Sequence, residues 1–239
     1  MGEGHIPFPF HLKRYDMPRL EYYDNPTTPI LTTAEAKSHL RVTHSAEDTY
    51  IDTLIAAATE VAENYTGSHF INHAYDLYLE NWNDVYVSNA SDIKGFWFNT
   101  LKSPINLKYG GYYSKYTGLY QVLLSKAPLA SVEHVKYYDK DNSLQTWADT
   151  EYNVMKFINQ KGFIELVDGK DLPDIYDRAD GVQIRYHAGY GTSASDVPQA
   201  IKHAVLLIVG HLYEKREDTV SRLPKASEYI LDPYRIYNY

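Results

Sequence analysis

Residues 197–216, VPQAIKHAVLLIVGHLYEKR, constrain the fold more than any other part of the chain. Ile201, Ala204, Val205, Ile208 and Leu212 recur at helical spacing along one face, and Leu206, Leu207 and Val209 fill most of the remainder. A helix that is apolar nearly all round must be covered on more than one side. Asp196 is the expected N-cap, and Pro198 is tolerated in the first turn. The longest apolar run, 204–210, is about a third of the roughly 20 residues a membrane span requires, so the covering must come from protein.

The helices to do the covering are readable far upstream. Thr32-Thr33-Ala34-Glu35 forms a capping box and predicts a short helix to about Leu40. Ser45-Ala46-Glu47-Asp48 is a second start, with carboxylates where the helix dipole favours them. Ile51, Leu54, Ile55, Ala58, Val61, Ala62 and Tyr65 then repeat at helical spacing until Gly67 ends the run. A further short helix is expected near 225–231. Between these, Tyr75, Leu77 and Leu79 alternate with polar partners, the period of a half-buried strand. Short strands are also expected at 121–124, 132–138, 152–155, 163–167 and 182–186, with a turn at Asp139-Lys140-Asp141-Asn142. The fold class expected is α+β, a small helical bundle with an inserted antiparallel β lobe. Residues 1–29 read as an extended arm, 30–69 and 192–231 as the helical part, 70–191 as the β lobe, and 232–239 as a tail.

Composition removes whole classes of chemistry. The chain of 239 residues has no cysteine, so thiol nucleophiles, disulfides and thiolate metal sites are excluded. The start has no continuous apolar region of the kind a signal peptide needs. A net charge of −8 does not coat duplex DNA by bulk electrostatics. No phosphate-binding glycine loop, GxSxG or HExxH motif occurs, and His211 with Glu214 one turn on is too few ligands for a metal. The DKDNS stretch at 139 lacks the glycine and glutamate of a calcium loop. Ala188-Gly189-Tyr190-Gly191 reads as a strand end that turns sharply towards the next helix. No catalytic, cofactor-binding or metal residues are therefore assigned, and the chain is read as not an enzyme, with no cofactor.

The remaining signal is tyrosine, 24 residues of 239. Residues 93–132 hold no acid and five lysines, with Trp97, Tyr109, Tyr112, Tyr113 and Tyr116 among a dense aromatic set. Such a surface suits a protein contact through tyrosine anchors, single-stranded nucleic acid through stacking and charge, or a carbohydrate platform. Protein contact is the preferred reading. The alternative from another class is a carbohydrate-binding or glycoside-hydrolysing protein using Trp82, Trp97 and the tyrosines with carboxylates such as Glu80 and Asp84.

Residues 31–67, LTTAEAKSHLRVTHSAEDTYIDTLIAAATEVAENYTG, resemble the opening of the tailed-phage head–tail connector proteins, also called head-completion or adaptor proteins. The resemblance continues in order through APLASVEHVKYYDKDNSLQTW (127–147), matching the β insertion of larger members. VQIRYHAGYG (182–191), VPQAIKHAVLLIVGHLYEKRE (197–217) and LDPYRIY (231–237) complete it. It implies a structural virion protein of the phage neck, assembled in the host cytoplasm as a ring, commonly twelvefold. Its partners would be further copies of itself, the portal protein, and a tail or stopper protein; genomic DNA would pass through the channel without sequence-specific binding. Carried over, portal contact falls to Tyr234, Arg235, Ile236, Tyr237 and Tyr239. Contacts with neighbouring copies or other partners are expected at Trp97, Tyr109, Tyr112, Tyr113, Tyr116, Leu206, Leu207 and Val209.

Overall fold

The computed structural model describes residues 19–24, 26–80, 82, 112–113, 120–158, 160–216 and 223–236. Helix α1 (Thr33–Leu40) begins on the predicted capping box: the Thr32 hydroxyl accepts from the Glu35 amide while the Glu35 carboxylate accepts from the Thr32 amide. Helix α2 (Asp48–Thr66) ends at Gly67, whose φ of 72° supplies the left-handed stop. Its N-cap is Glu47 rather than Ser45, and Glu47 makes no capping bond of its own. Helix α3 (Gln199–Glu214) starts after Pro198; Asp196 instead accepts from the amide and hydroxyl of Ser193. Helix α4 (Lys225–Leu231) runs into a single 3₁₀ turn, Asp232–Tyr234.

Helix α3 is enclosed by α1, α2 and α4. Ile201, Ala204, Val205, Ile208 and Val209 are fully or almost fully buried, together with Ile51, Ile55, Ala58 and Ala62 from α2. The covering that an all-round apolar helix demands thus comes mainly from within the subunit, leaving Leu206 and Leu207 half-buried. Polar ties lock the helix directions: Lys37 Nζ to Asp48 at 2.6 Å between α1 and α2, and Lys202 to Glu35 at 3.8 Å between α3 and α1.

The β lobe leaves after α2 and returns before α3 on neighbouring strands. Strands β2 (His73–Leu79) and β9 (Val182–Ala188) pair antiparallel over their full length, His73 opposite Ala188 and Leu79 opposite Val182. Start and finish of the insertion therefore share one ladder, so it adds to the helical part without displacing it. Around that pair lie β1 (Arg19–Tyr22), β5 (Leu129–Tyr138) and β6 (Leu144–Trp147), in the order β1-β2-β9-β5-β6. A second antiparallel sheet has the order β3-β4-β8-β7, from Tyr112–Tyr113, Tyr120–Leu123, Phe163–Leu166 and Tyr152–Met155. Both sheets contribute to one core: Tyr75, Leu77, Val135, Ile184 and Tyr186 from the first meet Val122, Tyr152 and Ile164 from the second.

The predicted turn at 139–142 joins β5 to β6, with Asp139 Oδ1 accepting from the amides of Asp141 and Ser143. At the other junction Gly189 has φ of 144°, and a Cβ there would meet the Asn72 amide nitrogen at 2.6 Å. The 188–191 stretch is thus a close crossing of two chain segments, as its glycines indicated. The amide of Tyr190 also donates to the Phe70 carbonyl across the crossing.

Ile201 is wholly enclosed among helices drawn from both ends of the chain. Replacing it with alanine leaves a cavity and is expected to cost about 2–5 kcal/mol. Urea unfolding measures this, and a loss below about 1 kcal/mol would mean that the helices are not packed around α3 as described.

Candidate interaction surfaces

Arginine, tyrosine and carboxylate combine repeatedly in this chain. The described residues include six arginines, Arg19, Arg41, Arg178, Arg185, Arg216 and Arg235. All but Arg41 lie over a tyrosine ring and pair with an acid. Arg185 sits 3.4 Å from the Tyr23 ring centre and forms two 2.8 Å bonds to Asp76. Arg178 lies 3.6 Å over Tyr138 and bonds Asp180, while Arg19 lies 4.5 Å over Tyr78 and pairs with Glu21. Arg216 lies over both Tyr50 and Tyr213, with Glu47 accepting from it at 2.7 Å and also from the Tyr213 hydroxyl. A guanidinium flat against a ring with its fork on a carboxylate is well satisfied. These five cations are committed inside the subunit.

Several of these clasps secure segments at the ends of the described chain. At the N-terminal end, β1 pairs with β2, Arg19 opposite Tyr78 and Tyr22 opposite Tyr75. The Tyr23 amide donates to the Ala74 carbonyl, and Asp24 accepts from the Ala74 amide at 2.8 Å. From Arg19 onward the expected arm is therefore an edge strand of the sheet; residues 1–18 lie outside the described part. Tyr22 and Tyr23 each remain 59% exposed, so this edge presents aromatic surface.

At the C-terminal end the tail folds back on α2. The Tyr65 hydroxyl donates to Asp232 at 2.6 Å, and that bond, helped by burial, raises the Tyr65 pKa to about 12. Arg235 lies 4.9 Å from the same ring, and the Ile236 amide donates to the Thr66 carbonyl at 2.7 Å. Tyr234 meets the Tyr190 ring edge-on at 6.5 Å. Of the residues expected to reach a portal, Tyr234 and Ile236 are thus half-buried in their own subunit, and Arg235 is exposed beside Tyr65. Tyr237 and Tyr239 lie outside the described residues.

The other expected contacts divide. Leu206 and Leu207 keep part of their surface. Val209 is 0% exposed, buried among the subunit's own helices, and cannot meet a neighbour. Tyr112 and Tyr113 form β3, the edge strand of the second sheet, whereas Trp97, Tyr109 and Tyr116 fall outside the described part. Trp82 is also buried, its indole N–H donating to the Pro173 carbonyl at 2.8 Å and its ring against Trp147, so it offers no face to a sugar. Among the described residues there is no cluster of three or more His, Asp or Glu placed to hold a metal, and no helix long and apolar enough to cross a membrane. The recurrent Arg–Tyr–acid pairing was not anticipated, because its partners are mostly remote in sequence.

Residues 31–95 match the family of phage gp6-like head-tail connector proteins. That segment opens with α1 and α2, the helices that enclose α3. No curated protein sequence matches the chain. Three solved structures share its fold almost end to end. One is from the neck of an empty gene transfer agent particle computed with C6 symmetry: 20% identity, TM-score 0.63, covering 92% of this chain and 97% of that one. Another is from the virion of a native gene transfer agent particle, with 22% identity, TM-score 0.62 and coverage of 92% and 96%. The third is from the neck of the native particle computed with C12 symmetry, with 22% identity, TM-score 0.59 and coverage of 92% and 97%.

Two predictions follow from the clasps. Burial alone would raise the Asp76 carboxyl, but the bonds from Arg185 outweigh it and hold the carboxyl below its ordinary range. The pair therefore adds stability above that range, lost as pH falls through the depressed value. Arg185→Ala strands a buried charge and is expected to cost about 3–5 kcal/mol at pH 7. The deficit should shrink towards pH 4.5, where Asp76 in the variant takes up a proton; an equal deficit at both pH values, measured by denaturant unfolding, would contradict this. Separately, the bond after Arg235 is a trypsin site pinned by the Ile236 amide. Tyr65→Ala should speed its cleavage at least tenfold, read by mass spectrometry, and an unchanged rate would mean that the clasp does not hold the tail.

Proposed function

We propose that this chain is a structural protein of a phage-type neck, an adaptor that forms a ring, probably best built from twelve copies, between the portal and the tail or stopper. The channel at its centre passes the genome. The observation that carries the reading is the end-to-end likeness in fold to a protein of gene transfer agent necks, joined to the connector-family match over residues 31–95.

The chemistry of the chain supports this role. A DNA conduit must let the duplex slide, and a net charge of −8 opposes tight phosphate binding. Five of the described arginines are neutralised by carboxylates within the subunit, which removes the groups best suited to grip a phosphate. A ring requires a different surface on each flank, because head-to-tail contacts close only when two unlike patches meet. Leu206 and Leu207 and the β3 edge with Tyr112 and Tyr113 are proposed for contacts between copies or with other partners.

Portal contact is proposed at the C-terminal segment: Tyr234, Arg235, Ile236 and, beyond the described residues, Tyr237 and Tyr239. The clasp on Tyr65 and Thr66 fixes the direction in which the last residues leave the subunit. Because Tyr234 and Ile236 belong to the fold, a truncation that tests docking must begin after Ile236. Removing residues 237–239 should leave the thermal midpoint unchanged and lower the attachment of the protein to portal-bearing heads at least tenfold, measured by co-sedimentation. Attachment at the wild-type level would remove the terminal peptide from the portal contact.

A further inference from the structure

The outer face of the second sheet carries an apolar patch that the tail and the helices do not use. Cross-strand register places Leu123, Phe163 and Met155 in one row across β4, β8 and β7. Their neighbours in sequence, Val122, Ile164 and Val154, point the other way, into or against the shared core. Leu123 and Met155 are 42% and 39% exposed, and the loop after β7 adds Phe157 at 48% and Ile158 at 91%. The Phe157 ring packs 5.8 Å from Phe163, joining loop and strand row into one surface.

This surface is held in shape. Lys156 Nζ donates to the Ala130 carbonyl at 2.5 Å, and the Gln160 carbonyl accepts from the Leu129 amide at 3.4 Å, tying the loop to β5. A Cβ at Gly162 would lie 2.2 Å from a Leu129 methyl and 2.6 Å from the Met155 carbonyl, so the return strand is pressed against its neighbours. Along the same face the next row is polar, Gln121 opposite Glu165 opposite Asn153, with Gln121 donating to Glu165 at 2.6 Å. An apolar centre bordered by satisfied polar groups is the anatomy of a protein interface.

We infer that this patch is the surface by which one copy of the chain contacts the next in the ring; the inference rests on the ring reading above. Charge selects the occupant. Every copy carries −8, so copies brought side by side repel unless they meet where charge is absent. The side chains of Leu123, Met155, Phe157, Ile158 and Phe163 carry none. The patch is also continuous with the sheet's β3 edge, since β4, which holds Leu123, pairs directly with β3. Its counterpart on the neighbouring copy is a different surface, as ring closure demands.

The test uses the full chain in assembled particles. Ile158→p-benzoylphenylalanine keeps the position apolar and makes it photoreactive. Irradiation should give adducts at twice the mass of the chain, linking position 158 to a second copy. Adducts to a different virion protein, or none although the chain is incorporated, would overturn the inference. Ile158→Asp provides a second reading: the subunit should melt at the wild-type temperature yet enter particles at least tenfold less often. Incorporation at the wild-type level would equally overturn it. Absence of the unaltered chain from particles would be a separate result, removing the neck reading and this inference with it.

Discussion

The burial of α3 organises the molecule. Its sixteen residues expose an apolar surface too broad for a single partner helix, and the chain covers it with α1 and α2 from one side of a long insertion and α4 from the other. Because those partners lie more than 130 residues upstream, the insertion must begin and end close together. The β2–β9 ladder meets that requirement: its two strands are adjacent, antiparallel and in register over seven residues. The helical part and the β lobe are thus consequences of one constraint, the enclosure of a helix that water cannot solvate.

Tyrosine has two roles that its abundance alone does not separate. Tyr75, Tyr186 and Tyr190 are interior or nearly so, and burial raises the hydroxyl pKa of each, that of Tyr186 to about 12. Tyr23, Tyr50, Tyr65, Tyr78, Tyr138 and Tyr213 serve as platforms for arginine. These platforms hold β1, the end of α3 and the C-terminal turn onto the body of the subunit. The segments that would meet partners in an assembly are therefore fixed in direction by cation–ring and ion-pair contacts rather than by the apolar core, while the cations are kept from nucleic acid.

Local signals were legible in the sequence, and remote ones were not. The capping box at Thr32 and Glu35 and the glycine stop at Gly67 act within a turn of helix, so α1 and α2 stand where their residues placed them. The strand at 152–155 matches its item of alternation to the residue, and β5 and β9 each extend beyond the expected limits by two or three residues where pairing continues past the apolar pattern. Strand β1 gave no such signal: RLEY does not alternate, and its extended state comes from hydrogen bonding to β2 more than fifty residues away. Asp76 occupies a position that alternation marks as outward, yet it is buried, because Arg185 and Tyr23 close over it. Val209 was readable as apolar but not as interior, since which side of an all-round apolar helix meets its own subunit depends on packing. The clasps share that remoteness: Asp76 and Arg185 are 109 positions apart, and Glu47 and Arg216 169.

The central claim is a position, the neck, occupied by a ring of this fold. A focused cryo-electron microscopy reconstruction of the neck in particles that carry this chain tests it most directly. The account predicts a closed ring between portal and tail whose repeating density accommodates both sheets and the four helices, with a C-terminal segment leaving beside α2 towards the portal. A neck in which no ring fits this fold, or particles whose junction is complete without the chain, would contradict it.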